Sequence, residues 1–462
     1  MKIKNYFAVA LASLALVACD NEDNVINDVE QGKAYVNISI ALNDPSMTKA
    51  ADTQDPNAEE VEAKVNSIDV YLENAGTATG YTCIATLTPA DFNAPTAGAS
   101  SGEKKYSIKQ PISVSGTAGD NTRHLFVVIN KPLSFNPATI ASNGVFESTI
   151  QELTNTTNGF TMFNTAEVRA TLHASTSAAT ASPTEVKVER LAAKALLTTQ
   201  YDFTKDISDD NPGGAAGVFL KNTLKWHIQN SNKKMYYIKQ SDYKDPNWEY
   251  IKNTTIFSDY ELNPWVTPSN PQGTIPVVKA GESTPTGYSE TNGTAIAHVQ
   301  YFTENTNEKY VYGNTTLMII EAQFVPSKIA IAYTDNEFSM DKEANQTPLT
   351  FYYDVLDKIY MTENAHTAYK AAKPSAEVWG PYTDGKCYYQ VPIGTSPLDK
   401  TELLGAKRNH FYKGNITKLI APGLPNPTPD PDEPVIKDNV WITVDLTIEP
   451  WNLVSMGNLE LK

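Results

Sequence analysis

A proline-studded stretch near the end of the chain restricts its fold more than any other feature. Residues 422–434 read Pro-Gly-Leu-Pro-Asn-Pro-Thr-Pro-Asp-Pro-Asp-Glu-Pro, with six prolines in thirteen positions. Proline fixes φ and lacks a backbone donor, so this run builds neither a helix nor a central strand and favours extended polyproline II. Beyond it, residues 440–449 alternate cleanly and put Ile442, Val444, Leu446 and Ile448 on one face. Residues 422–462 therefore read as a tether that holds a single strand away from the body of the chain. A lone strand with one apolar face is poorly stable in water. It needs a sheet to join, either in its own chain or in another molecule.

The 462 residues predict two or three domains, and 41% apolar residues suffice for real cores. A net charge of −16 argues against a nucleic-acid partner, because phosphate binding needs a basic surface. Thr, Val, Ile and 24 Tyr alternate with turn-forming Asn, Asp, Gly and Pro, and no long segment after residue 20 sustains a 3.6-residue period. That pattern predicts an all-β chain. Three cysteines, Cys19, Cys83 and Cys387, are too few for a disulfide framework. Cys83 and Cys387 read as isolated thiols.

The N-terminus carries Lys2 and Lys4, then an almost wholly apolar run over residues 6–18. It is too short to span a bilayer and reads as a secretory signal covering residues 1–18. It ends Leu16-Val17-Ala18-Cys19, which resembles a bacterial lipobox, and this marks Cys19 as the site of a covalent diacylglycerol and acyl anchor. Lipid chains hold by burying CH₂ groups at about 0.8 kcal/mol each. Residues 20–24, Asp-Asn-Glu-Asp-Asn, resemble a surface-export signal of lipoproteins. The precursor is thus expected on the outer face of the outer membrane, held by lipid alone.

A second strand follows. Residues 35–42 alternate and put Val36, Ile38, Ile40 and Leu42 on one face. Next comes a polar segment of small residues, 43–57, of the kind that proteases nick. Lys49 is the only basic residue between Lys33 and Lys64. A basic-specific protease would cut between Lys49 and Ala50 and free the strand before it. The two terminal strands have similar apolar faces, so the second, from a neighbouring copy, would fit the groove left by the first. Burying four such aliphatics is worth roughly 6–12 kcal/mol before ordering costs. Pattern alone leaves both destinations open, since terminal strands commonly pair within their own chain.

In the body, residues 67–72, 124–130 and 184–190 read as strands of one sandwich, and residues 174–182 as a flexible loop. Residues 191–197 have helical propensity but lead into β-rich Thr198-Thr199-Gln200-Tyr201, which favours a strand. Residues 224–228, 235–238, 315–324, 386–393 and 410–419 read as strands of a second body, with long polar loops at 241–275 and 334–385.

No catalytic or metal-binding constellation emerges. Gly98-Ala99-Ser100-Ser101-Gly102 matches G-x-S-x-G, but a nucleophile elbow needs a strand before it and a helix after it. The six histidines, at 124, 173, 227, 298, 366 and 410, are too dispersed for a local zinc motif. Residues 206–214 lack the ligand spacing of a calcium loop. Trp226, Trp248, Trp265 and Trp379 read as core rather than as a sugar platform.

Taken in order along the chain, these features resemble the Bacteroidales fimbrillins, close to the Mfa-type major stalk subunits that are lipoproteins and type V pilins. The residues that carry the resemblance are Leu16 to Cys19, Lys49, Leu125 to Asn130, residues 186–194 (Val-Lys-Val-Glu-Arg-Leu-Ala-Ala-Lys), residues 408–412 (Arg-Asn-His-Phe-Tyr) and residues 446–451 (Leu-Thr-Ile-Glu-Pro-Trp). The resemblance implies two transthyretin-like β-sandwich domains in tandem plus an exchangeable C-terminal β-strand. It implies a propeptide over 19–49, sandwiches over 50–190 and 191–421, and a tether and donor strand over 422–462. It further implies export as a lipoprotein, cleavage by an Arg/Lys-specific surface protease, and polymerisation with copies of itself and with anchor and tip subunits into an adhesive fimbrium. Family members often carry Arg where this chain has Lys49. The competing reading is a monomeric surface-anchored glycan-binding lipoprotein, which accounts for the lipobox but not for a tethered terminal strand.

Overall fold

The computed structural model describes residues 33–43, 62, 64–75, 80–98, 103–116, 122–142, 144–155, 157–199, 201–207, 216–220, 223–241, 243–249, 260–261, 275–276, 278–279, 299–341, 347–393, 405–427, 430–435 and 442–450. The fold is all-β.

Its first half comprises β1 (Lys33–Val36), β2 (Ile38–Asn43), β3 (Ile68–Glu73), β4 (Tyr81–Leu87), β5 (Thr96–Ala97), β6 (Glu103–Ser107), β7 (Ile112–Ser115), β8 (Thr122–Ile129), β9 (Met162–Asn164), β10 (Val168–Thr171) and β11 (Thr184–Arg190). Nine of these form one sheet in the order β4-β3-β8-β9-β11-β2-β6-β5, with β10 also on β8, while β1 pairs with β7. Alternation in β3 (Ile68, Val70, Leu72) and in β8 (Leu125, Val127, Ile129) sends every second side chain into one core, which Ala34, Val36, Ile38 and Ile40 complete.

The second half comprises β12 (Ala192–Thr199), β13 (Gly217–Phe219), β14 (Lys225–Gln229), β15 (Val299–Thr303), β16 (Leu317–Pro326), β17 (Ile329–Thr334), β18 (Glu337–Asp341), β19 (Phe351–Asp354), β20 (Ile359–Met361), the helix α1 (Glu363–Ala372), β21 (Val378–Tyr382), β22 (Lys386–Pro392), β23 (His410–Leu419) and β24 (Ile442–Pro450). One sheet contains β12, β23 and β24 in that order, with β15 on β12, and another contains β13, β16 and β14, with β22 on β16. Both contribute to one core, through Ala195, Leu197, Tyr412 and Ile416 from the first and Trp226, Ile320, Phe324 and Tyr389 from the second. Residues 191–197 lie mostly in β12, a strand as expected. Pairing with β23 and β15 on its two sides outweighs the local helical propensity.

Two expectations are corrected. Residues 334–385 are not a long loop: β17 to β21 form a five-stranded sheet in the order β18-β17-β20-β19-β21. Helix α1 is capped by the Thr362 hydroxyl, which accepts from the Ala365 amide, and it packs Ala365 and Tyr369 against Ala330, Tyr333 and Met361. Within 174–182, Thr176–Ala181 is a short helix capped by Ser175 rather than a loop.

Candidate strand-exchange site

The first terminal strand lies inside the N-terminal sheet. β1 runs antiparallel to β7, and Tyr35 exchanges two 2.8 Å backbone hydrogen bonds with His173. At Asn37 the chain crosses between sheets, and its carbonyl accepts from the Thr184 amide over 2.8 Å. β2 then has a neighbour on each side. It is parallel to β11, with Ile38 opposite Thr184 and Ala41 opposite Lys187, and antiparallel to β6, with Ser39 opposite Ser107 and Asn43 opposite Glu103. Val36, Ile38 and Ile40 are buried in the core and Leu42 packs at its margin. Their burial is worth about 1.5–3 kcal/mol for each fully covered side chain. Removing β1 and β2 would leave a slot walled by β6 and β11 and floored by core aliphatics.

The outer face of β2 is covered as well. Ser39 and Ala41 are small, and across them Lys105 on β6 reaches Glu185 on β11, Nζ to Oε2 at 2.6 Å. That hydrogen bond and the lysine's charge hold the Glu185 carboxyl below its usual range. Asn37 Oδ1 and Ser39 Oγ are buried and have no hydrogen-bond partner among the described residues, a cost to holding this segment in place.

The second terminal strand pairs within its own chain. β24 runs antiparallel along β23, with Leu419 opposite Ile442, Ile416 opposite Val444, Gly414 opposite Leu446 and Tyr412 opposite Ile448. Among the described residues β23 is its one neighbour, so β24 lies at the edge of the described sheet. The proline-rich stretch does not hold it away from the body. Leu424 and Tyr388 exchange backbone hydrogen bonds of 2.7 and 2.8 Å, and the Tyr312 amide donates to the Glu433 carbonyl over 3.0 Å. Proline enforces the extended path, but long-range contacts decide where that path lies.

A buried polar seam joins the two halves. Glu62 accepts from Lys194 Nζ at 2.7 Å and from the Tyr301 hydroxyl at 2.8 Å, and its backbone carbonyl accepts from Arg190 Nε at 3.0 Å. Arg190 also donates to Asn409 Oδ1 over 3.3 Å, and the Arg408 guanidinium grips Glu304, with Nε 2.7 Å from Oε2. The sequence signatures at 186–194 and 408–412 thus meet in space. Sequence reading missed Glu62 and the Lys105–Glu185 pair, because each is an isolated charge until the fold supplies its partner.

Cys19, Lys49 and Ala50 lie outside the described residues, as do Trp265, His298, most of the G-x-S-x-G segment and residues 208–214. The backbones of Ile442, Val444, Leu446 and Ile448 are described. Cys83 is an exposed free thiol on the edge strand β4, and Cys387 is a buried free thiol on β22. Trp226 is fully buried, and Trp379 packs against the same core. Among the described residues no group of three or more His, Cys, Asp or Glu is placed to hold a metal ion, and no helix is long and apolar enough to cross a membrane.

Residues 381–456 match the family described as "Major fimbrial subunit protein type IV, Fimbrillin, C-terminal", a span that takes in both β23 and β24. The chain is 26% identical to the minor fimbrium subunit Mfa1 of Porphyromonas gingivalis, over 98% of this chain and 99% of that protein. Among solved structures, a fimbrilin (fimA) of P. gingivalis W83 covers 91% of this chain and 99% of its own at 14% identity and a TM-score of 0.42. The C-terminally truncated tip fimbrial protein Mfa3 of P. gingivalis covers 91% and 100% at 12% identity and a TM-score of 0.38. The chain is thus similar along nearly its whole length to an Mfa-type fimbrial subunit, and its residues 381–456 match the C-terminal fimbrillin family.

Proposed function

We propose that this chain is a structural subunit of a cell-surface adhesive fimbrium, and that it polymerises by β-strand exchange after proteolysis. The supporting observation is the position of β2, a strand paired on both sides and buried on its core face, a few residues upstream of Lys49. Export as a lipoprotein on Cys19 brings the precursor to the outer membrane. An Arg/Lys-specific surface protease cuts between Lys49 and Ala50, and Val36, Ile38, Ile40 and Leu42 leave with the lipid anchor. The groove between β6 and β11 then accepts Ile442, Val444, Leu446 and Ile448 of a neighbouring copy. Before it can donate, β24 must leave β23.

Residues 19–49 form the propeptide, 50–190 and 191–421 the two transthyretin-like sandwiches, and 422–462 the donor segment. The boundary between the two sandwiches is supported by the two largest cores, one drawn from residues between 34 and 188, propeptide strand included, and the other from residues between 193 and 419. The partners are copies of the same chain, with anchor and tip subunits at the ends. No catalytic role is assigned.

The test is a detergent gel of surface protein. Wild-type chain should give resistant ladders, Lys49→Ala only full-length lipoprotein, and a chain lacking residues 440–462 only processed monomer. Ladders built from uncleaved Lys49→Ala subunits would refute the proteolytic trigger.

A further inference from the structure

Among the described residues the proline-rich stretch touches the body near its start and near its end, and the contacts are specific. At its start, Leu424 and Tyr388 exchange reciprocal backbone bonds, the Tyr382 hydroxyl donates to the Gly423 carbonyl over 2.8 Å, and the Tyr389 hydroxyl donates to the Ala421 carbonyl over 2.7 Å. Gly423 lies so close that a Cβ there would fall 2.2 Å from the Tyr388 carbonyl oxygen. At its end, the Gly313 amide donates to the Pro431 carbonyl over 2.9 Å and the Val435 amide to the Tyr310 carbonyl over 3.2 Å, while Pro434 sits opposite Val311. Val435 is buried beside Tyr312, Leu317, Ile319 and Tyr388. A chain merely spanning a gap needs none of this. The prolines suit such a docked segment, because they carry no amide that would need a partner and they restrict the alternatives open to an undocked chain.

We propose that residues 421–424 and 431–435 are the two halves of a clasp that stays closed on its own subunit throughout assembly, so that only the chain beyond Val435 changes path. The inference deepens the strand-exchange reading and rests on it. Its consequence is geometric. Seven residue steps separate Val435 from Ile442, and each spans at most about 3.3–3.6 Å. The donor strand therefore begins within about 25 Å of Val435, and the acceptor groove of the next subunit must approach at least that closely. A free tether running from residue 421 would permit roughly three times that reach. The clasp thus makes Val435 the point from which the spacing between subunits is set.

The test locks the clasp covalently. Pro434 and Val311 form a non-hydrogen-bonded antiparallel pair, flanked by the Tyr312–Glu433 and Val435–Tyr310 bonds. Such pairs hold their Cα atoms about 4.5 Å apart, within the range a disulfide bridges. Oxidised full-length chain carrying Val311→Cys and Pro434→Cys, once processed, should polymerise within about two-fold of wild type, with or without reductant. A locked chain that stays monomeric and regains polymerisation on reduction would overturn the proposal. Amide hydrogen exchange gives a second readout. Tyr312, Gly313 and Leu424 should be equally protected in monomer and polymer, and their loss of protection in the polymer would overturn the proposal even if the disulfide failed to form. Failure of strand exchange itself looks different, since a chain without residues 440–462 would then polymerise normally.

Discussion

Lys105 and Glu185 form an ion pair, Nζ to Oε2 at 2.6 Å, across the outer face of the strand that lies between them. The pair ties β6 to β11 above Ser39 and Ala41, so it spans the groove that strand exchange requires. Both side chains are about a third exposed, at 30% and 38%, and after solvent screening the pair contributes at most about 1 kcal/mol. Lys105→Ala and Glu185→Ala should therefore leave the thermal unfolding of the precursor nearly unchanged. After processing they should slow donor uptake several-fold, and the swap Lys105→Glu with Glu185→Lys should restore it. Equal uptake rates in all four chains would remove the pair from the account.

The same pair predicts a pH dependence. The Glu185 carboxyl is held below its usual value of 4.5, so its small contribution is complete above that value and is lost as the pH falls through the lowered folded value. The difference in melting temperature between wild type and Glu185→Gln should shrink on acidification and vanish in strong acid.

Ile38 and Ile40 should matter before processing and not afterwards. Both are essentially fully buried, and Ile→Ala in such a site costs about 2–5 kcal/mol. Denaturant unfolding of the uncleaved chain should show that loss for each variant. Mature polymer, from which both residues have gone, should be indistinguishable from wild type.

Glu62 tests the seam. Its side chain is 1% exposed and faces that of Lys194, which is 4% exposed. Breaking a buried pair by removing one partner costs about 3–5 kcal/mol. Lys194→Ala should lower unfolding stability by that amount, and a double replacement with apolar residues should recover much of it. A loss below about 1 kcal/mol would show the pair to be incidental.

His227 predicts a second pH effect, opposite in origin to that of Glu185. Burial pushes its imidazole down to about 4 from 6.5. Unfolding therefore takes up a proton between these values, and the stability His227 confers is intact above 6.5 and is lost as the pH falls towards 4. Substituting Gln at position 227 should flatten the stability profile in that window, and the His227 ring resonances should not titrate above pH 5.

Much of the fold is legible in short stretches of sequence. Residues 410–419 form β23 with the bounds their pattern predicts, and Ile38 and Ile40 point inward as alternation requires. What escapes is decided at long range or written too briefly. β20 is three residues long and α1 buries only Ala365 and Tyr369, so the segment from 334 to 385 carries too little periodicity to announce a sheet. The proline-rich stretch declares its extended backbone but not its docking, because Tyr388 and Tyr310 are distant in sequence and contribute mainly backbone groups. The two walls of the groove, β6 and β11, become neighbours of β2 only through topology, and no local pattern near Lys105 or Glu185 signals their meeting.

The most direct measurement is the binding of a peptide of residues 440–462 to chain lacking that segment, compared before and after cleavage at Lys49. If strands exchange as proposed, the peptide should bind tightly and saturably to the processed chain, whose groove is empty, and not at all to the unprocessed chain, whose groove holds β2. Equal binding to both forms, or binding to neither, would contradict it.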